Sequence, residues 1–132
     1  MKKTSTKIRV RYGETDQMGV VYYGNYPLYL EQGRTEWLRE IGFSYRWMEE
    51  HGIHLPVTEL HINYRRSARY DDVITVETTL KNIPTAKIEF DYAIFNEENE
   101  LLVTASTTLV FVDSATQKIR RAPDYLIEKL TN

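Results

Sequence analysis

YGETDQMGVVYYGNYPLYLEQGRTEWLREIG, residues 12–42, contains the change of period that decides the fold. Just before it, residues 7–12 alternate Ile8, Val10 and Tyr12 against Lys7, Arg9 and Arg11, the two-residue period of a half-buried strand. A glycine-bearing loop, GETDQMG, then leads to apolar positions at Tyr26, Leu30, Trp37 and Ile41, three to four residues apart or at multiples of that, with Arg34 interrupting the stripe. That spacing predicts a helix over residues 23–41. Pro27 suits its first turn, and Gly42 suits a left-handed cap after its end. Ser44 can N-cap a short second helix that runs through about His51 and is closed by Gly52.

Beyond Leu55 the two-residue period returns. Residues 55–64 read as one strand. Ile74, Val76, Thr78 and Leu80 face one way while Thr75, Glu77 and Thr79 face the other, and Ile88, Phe90, Tyr92 and Ile94 repeat the pattern up to the turn NEENE. Residues 101–112 are more continuously apolar and rich in Thr and Val, as expected of a central strand buried on both faces. DSATQK reads as a turn, residues 119–121 as a last short strand, and residues 123–130 as a terminal helical turn or two. The order is strand, long helix, then four or five strands joined mostly by hairpins. That describes an α+β chain, one antiparallel sheet covered by one helix. A helix of about 17 residues is roughly 25 Å long at 1.5 Å per residue, enough to cross several strands. With one sheet face covered and two edges open, self-association is the expected state.

Composition narrows the chemistry. The 132 residues fit one domain spanning 1–132, and they include no cysteine, which excludes disulfide scaffolds, thiol nucleophiles, iron–sulfur clusters and Cys-ligated zinc. Lys and Arg number 17 against 19 Asp and Glu, a net −2 that gives no general attraction to nucleic acid or to an anionic membrane. The basic start MKKTSTK is followed by IRVRYGETD rather than an apolar stretch, and no run approaches the ~18 apolar residues of a membrane span. The expectation is a cytoplasmic protein. His51, His54 and His61 include an H-x-x-H, but zinc wants three or four ligands, so no metal site is assigned. There is no G-x-S-x-G elbow, phosphate-binding Walker loop or dinucleotide fingerprint. Asp71 and Asp72 read as turn acids at a strand start, and the ten tyrosines as core or interface rather than an RNA-stacking surface, because no basic stripe runs through them.

The segment over residues 12–26 carries the possible chemistry. It places Glu14, Asp16, Gly19 and Gly24 in a loop that feeds a helix start, where unpaired backbone N–H groups near Tyr23, Gly24 and Asn25 make an anion or oxyanion site. A carboxylate beside such donors has the minimum parts for hydrolysis, a base or nucleophile and a polariser for a carbonyl oxygen. The plainer reading makes Glu14 and Asp16 turn and capping residues.

YGETDQMGVVYYGNY resembles the opening motif of the hotdog-fold acyl-CoA thioesterases of the 4-hydroxybenzoyl-CoA thioesterase and YbgC type, a Y-x-D-T-D-x-x-G-V-V-Y loop before the central helix. EQGRTEWLREIG is similar to that family's helix, SARYDD to its P-A-R-x-D-D turn, and FVDSATQKIRRAP to its closing F-V-D…K-x-R-x-x-P segment. The resemblance runs from about Arg9 to Leu130. It implies an antiparallel sheet of five to seven strands wrapped around a long helix, assembled as a dimer or homotetramer with active sites at the subunit interface. It implies hydrolysis of acyl-CoA to free acid and CoA, without metal or redox cofactor. Residue by residue, the catalytic carboxylate falls on Asp16, as general base or as nucleophile. The amide that polarises the thioester carbonyl falls on Tyr23, while Tyr12, Gly19, Tyr22, Gly24 and Asn25 fall around the substrate; Glu31, eight residues into the helix from Tyr23, is within reach of an acyl group, against the plainer reading of a helix-face charge. Three positions depart from the pattern: Glu14 stands where the family usually has Asp, Tyr23 where YbgC-type enzymes usually carry His, and Ser67 where the turn has Pro. The backbone donor then works without the imidazole. Two basic stretches, Arg65, Arg66 and Arg69 in RRSAR and Lys118, Arg120 and Arg121 in KIRR, offer planar multi-donor recognition of the CoA phosphates, against the plain reading of solvated loop charge. The alternatives within reach are a thioesterase for acyl-carrier protein and a non-catalytic acyl-CoA-binding hotdog protein.

Overall fold

The structure, a computed structural model, describes residues 2–132. Strand β1 (Lys3–Arg9) leads into the long helix α1 (Tyr26–Glu40), the short α2 (Tyr45–Glu50), β2 (Ile53–His54), β3 (Val57–Tyr64), β4 (Val73–Leu80), β5 (Lys87–Phe95), β6 (Leu101–Val110), β7 (Val112–Asp113) and a terminal α3 (Asp124–Thr131). The main sheet has five strands in the order β1-β4-β5-β6-β3, each pair antiparallel, and β2 with β7 forms a two-stranded ribbon. A long helix cradled by an antiparallel sheet is the hotdog arrangement that the resemblance implies.

The alternation seen in the sequence is the sheet's two faces. On β4 and β5, Ile74, Val76, Thr78 and Leu80, and Ile88, Phe90, Tyr92 and Ile94, are buried on the helix side, and the residues that alternate with them are exposed or half-buried. α1 returns Tyr29, Leu30, Trp37 and Leu38 to this core, with Trp37 edge-on to Phe90 at a centroid distance of 4.9 Å. The helix passes so close to β4 that a Cβ on Gly33 would come within 2.5 Å of Thr78 Oγ1 and 2.8 Å of Val76 Cγ1. Only glycine fits at this crossing. Ser44 caps α2 as expected, its Oγ accepting from the Trp47 N–H at 3.0 Å, and Gly42 has a positive φ of 102°.

Four local expectations change. β1 begins at Lys3 and ends at Arg9, so the basic N-terminal segment is itself strand and Tyr12 lies outside it, in a 3-10 turn over Tyr12–Glu14. The helix starts at Tyr26, because Tyr23–Asn25 forms a separate 3-10 turn. β6 is not buried on both faces: it lies between β5 and the edge strand β3, and Thr104, Ser106 and Thr108 point to the uncovered side, where they are half-buried. Residues 119–121 make only one bridge, Ile119 to Val112, because the Asp113 side chain pulls the chain into a tight turn by accepting from the N–H groups of Ala115 and Thr116. No helix among the described residues is long and apolar enough to cross a membrane.

Candidate active site

Residues 15–21 form a small hairpin, with Thr15 bridged to Val21 and the Asp16 N–H donating to the Val20 carbonyl at 2.9 Å. Gly19 takes φ 78° at its tip, the left-handed conformation that returns the chain. The hairpin docks on the turn after β3: the Val21 N–H donates to the Ala68 carbonyl at 2.8 Å, Tyr70 N–H to the Gly19 carbonyl at 3.3 Å, and Val20 is bridged to Arg69. Tyr26, on the first turn of α1, accepts the Ala68 N–H on its hydroxyl at 3.1 Å. Loop, helix mouth and arginine turn are thereby one unit.

The two acids of the loop have opposite surroundings. Glu14 is buried, and its carboxylate accepts from the Arg11 N–H at 2.8 Å, Arg11 Nε at 3.0 Å and the Tyr29 hydroxyl at 2.9 Å. Its carbonyl accepts from Tyr22 N–H at 3.0 Å and Asn25 Nδ2 at 2.9 Å. Burial works against its charge, but the bonds from Arg11 and Tyr29 and the Arg11 charge prevail and hold the carboxyl below its ordinary value. Burial and the Glu14 carboxylate together push the Tyr29 phenol well above its own. Glu14 is thus the tie between loop and helix. Asp16 is half-buried; its Oδ1 accepts the Met18 N–H at 2.8 Å, and no other side-chain bond engages its carboxylate among the described residues. Of the pair, Asp16 alone retains an oxygen free for chemistry.

Neither the Tyr23–Asn25 turn nor α1 carries a side-chain N-cap; the Asn25 N–H, expected to be unpaired, donates to the Tyr22 carbonyl at 2.9 Å, and the Tyr23 and Gly24 N–H groups have no backbone acceptor among the described residues. Tyr23 is exposed, three residues beyond Val20, the partner of Asp16 in the hairpin. Around this mouth stands a set of exposed tyrosines that periodicity had placed in the core or an interface. Tyr12 meets Tyr70 at 5.6 Å, Tyr22 meets Tyr23 at 4.8 Å, and Tyr23 meets Tyr64 of the edge strand at 6.2 Å. The Tyr64 hydroxyl donates to the Tyr23 carbonyl at 3.0 Å. An exposed aromatic patch of this kind marks an interaction surface. Gly24 is exposed, but a Cβ there would meet the Tyr22 ring at 2.7 Å, and the Asn25 side chain serves the Glu14 carbonyl.

The arginines separate into two places. Arg66 and Arg69 line a cleft of about 630 Å³ beside the hairpin, which also takes in Val20, Leu102 and the acids Asp72, Glu98 and Glu100, with Arg66 paired to Glu100 at 2.9 Å. Arg65 is exposed on the same turn, its N–H on the Leu102 carbonyl. Lys118, Arg120 and Arg121 lie elsewhere: Arg120 N–H bonds the Phe111 carbonyl, at the opposite end of β6 from Leu102. Nine residues of strand span about 30 Å. Within one protomer the two basic groups do not meet. Glu31 is exposed on α1, well along the helix from its mouth, and shares a cavity with Arg34. The burial of Arg34 and Glu14 was not read from the sequence. The signals available were an arginine inside an apolar stripe and the i,i+3 pairing of Arg11 with Glu14.

Comparison with known proteins places this geometry. A family profile described as the thioesterase-like superfamily matches residues 10–130. A putative acyl-CoA thioesterase of Bacillus subtilis, YneP, is 36% identical over 118 residues, covering 89% of this chain and 86% of the relative. The acyl-CoA thioester hydrolase YbgC of Escherichia coli O6:H1 is 32% identical over 120 residues, covering 91% and 90%. Among solved structures, a DHNA-CoA thioesterase from Staphylococcus aureus superposes with a TM-score of 0.91 at 38% identity, covering 98% of this chain and 91% of that one.

Proposed function

This chain belongs to the thioesterase-like superfamily and is an acyl-CoA thioester hydrolase, and on that premise we propose that Asp16 supplies the carboxylate and the Tyr23 backbone N–H the carbonyl donor. The observation that supports this assignment is the contrast between the loop's two acids: Glu14 spends its carboxylate on Arg11 and Tyr29, while Asp16, in the hairpin that leads into the helix mouth, keeps one oxygen free. With the thioester carbonyl oxygen at the Tyr23 N–H, attack on the carbonyl carbon builds negative charge on an oxygen held by a preorganised donor. Asp16 either takes the proton of an attacking water or adds to the carbon itself, giving a mixed anhydride that water then cleaves. In both routes the C–S bond breaks, the acid is released and the CoA sulfur leaves as thiolate to be protonated. The chain supplies both parts, so the reaction requires no metal or redox cofactor.

Arg66 and Arg69, with Arg65 on the same turn, are the CoA phosphate grip, because they flank the hairpin that holds Asp16. Lys118, Arg120 and Arg121 reach a CoA bound there only from another copy of the chain. The working unit is a cytoplasmic homodimer joined along β3, which covers the tyrosine rim and closes the mouth of α1. Asp16→Asn is expected to lower thiol release from acyl-CoA by ~10²-fold or more while leaving the melting temperature and CoA binding near wild type. A variant that turns over at a near-normal rate removes Asp16 from the chemistry.

A further inference from the structure

Arg34 is the odd residue of α1. It interrupts the apolar stripe, yet it is only 9% exposed. Its Nε has no hydrogen-bond partner, and no carboxylate pairs with it among the described residues. The phenols of Tyr45 and Tyr92 flank it, and Tyr92 is already engaged with Thr107 Oγ1 at 2.6 Å. A guanidinium held dry and incompletely bonded is costly, which makes it a site waiting for an acceptor. It faces a cavity of about 350 Å³ whose other walls are Leu55 and Leu109 on the apolar side and Glu31 and Glu49 at the rim.

Leu109, on one wall of that cavity, pairs with Val57 of β3, and the inner face of β3 runs from there to Tyr64 at the helix mouth. α1 sits over β1 and β4, which leaves the inner face of the β3 edge uncovered. Leu60 and Tyr64 are exposed there and Ile62 between them packs against the core, while Tyr64 touches Tyr26 at a centroid distance of 5.5 Å beside Tyr23. From Tyr26 to Arg34 is eight residues of helix, about 12 Å at 1.5 Å per residue. A thioester carbonyl placed at the Tyr23 amide can therefore send its acyl chain along this face and end it at Arg34.

We infer that Arg34 is a specificity-determining residue that reads the far end of the acyl group, and that the preferred substrates are medium-chain acyl-CoAs carrying a neutral oxygen, a hydroxyl, at that end. The inference rests on the thioesterase reading above. A hydroxyl accepts from the guanidinium and donates to a rim glutamate, whereas a terminal carboxylate is repelled by Glu31 and Glu49, and an alkyl end leaves Arg34 unpaired. A site built to bond a substrate hydroxyl discriminates strongly against the analogue that lacks it.

The test uses the purified protein and matched pairs of alkanoyl-CoA and ω-hydroxyalkanoyl-CoA across the medium-chain range, followed by thiol release. At the best length, kcat/KM is expected to favour the hydroxylated member about tenfold or more, and Arg34→Met to bring that ratio to about one. Arg34→Lys should retain part of it. A wild-type enzyme that treats the members alike, or prefers the alkyl one, overturns the role of Arg34 while leaving the thioesterase reading intact. A preference for the ω-carboxylate over the ω-hydroxyl overturns the neutral-oxygen assignment. Failure to release thiol from any pair overturns the thioesterase reading and this one with it. The wild-type ratio requires no variant, so the inference stays exposed even where Arg34→Met does not fold.

Discussion

Two carboxylates two residues apart, Glu14 and Asp16, show how surroundings divide labour between like groups. In the sequence they were a pair, each open to a catalytic or a capping role. In the structure Glu14 is the cap: an extended Arg11 precedes the 3-10 turn, and Glu14 returns to bond both its backbone N–H and its guanidinium. Because folding holds this carboxyl below its ordinary value, the folded state binds fewer protons there than the unfolded state. Its stabilising contribution is therefore complete above the ordinary glutamate value and drains away as the pH falls through the lowered folded one. Glu14→Gln is expected to cost about 1–3 kcal/mol at neutral pH, the range for weakening bonds to a buried charged group. The difference in melting temperature between wild type and variant should shrink steadily as the medium is acidified, which a series of thermal melts reads directly. A constant difference across that range would mean that the Glu14 charge does nothing for the fold. The proposal of Asp16 as the catalytic acid comes from the resemblance. What the sequence withheld was the reason Glu14 is unavailable, since Tyr29 lies fifteen residues away and its bond exists only once α1 has packed.

At the level of elements, the central strands were legible because they have one covered face, and β4 and β5 follow their expected alternation residue by residue. Errors gathered where the period has nothing to act on. The N-terminal residues of β1 are Lys, Thr and Ser, which pair with β4 through the backbone and leave no apolar signature. The break between Asn25 and Tyr26 is a change from 3-10 to α geometry, which side-chain spacing over three residues cannot distinguish. Gly33 is the converse case, a glycine that local propensity disfavours inside a helix and that the helix–sheet crossing demands. Replacing it returns at most about 1 kcal/mol of helix propensity. Against that, a β-branched side chain driven into Val76 and Thr78 costs about 1–3 kcal/mol for the first overlap, and neither neighbour is the flexible end of a long side chain that can swing away. Gly33→Val is thus expected to be net destabilising, with a melting temperature lower by several degrees on thermal denaturation at roughly 4 °C per kcal/mol. A variant melting at or above wild type would show that α1 can lift off the sheet without loss.

The whole molecule presents a surface that one chain does not complete. β3 is the sheet's edge, and every residue along it is exposed or half-buried, with Val57, Leu60 and Tyr64 at 43, 41 and 49%. A long edge strand with apolar side chains and unpaired backbone groups is a template for a further strand. Nothing among the described residues pairs with it, while the opposite edge, β1, is studded with Lys3, Lys7 and Arg9, the charges that discourage such pairing. The candidate loop and the tyrosine rim lie at the β3 side, through the bond from Tyr64 to Tyr23, so a strand paired there would alter the candidate site. Sequence patterning gives each strand's faces but not its neighbours beyond the chain, which is why the position of Lys118, Arg120 and Arg121, distant from the hairpin in one protomer, could not be foreseen. If two copies join along β3, a lysine at Leu60 places two ammonium groups in a dry seam. Leu60→Lys is accordingly expected to run as a monomer by light scattering while the wild type runs as a dimer or tetramer. Its melting temperature should then stop depending on protein concentration, a readout of assembly that is separate from any effect of Leu60 on the acyl path. A fully active monomer would place the entire reaction within one protomer, with Asp16, the Tyr23 amide and the Arg66–Arg69 cleft sufficient by themselves.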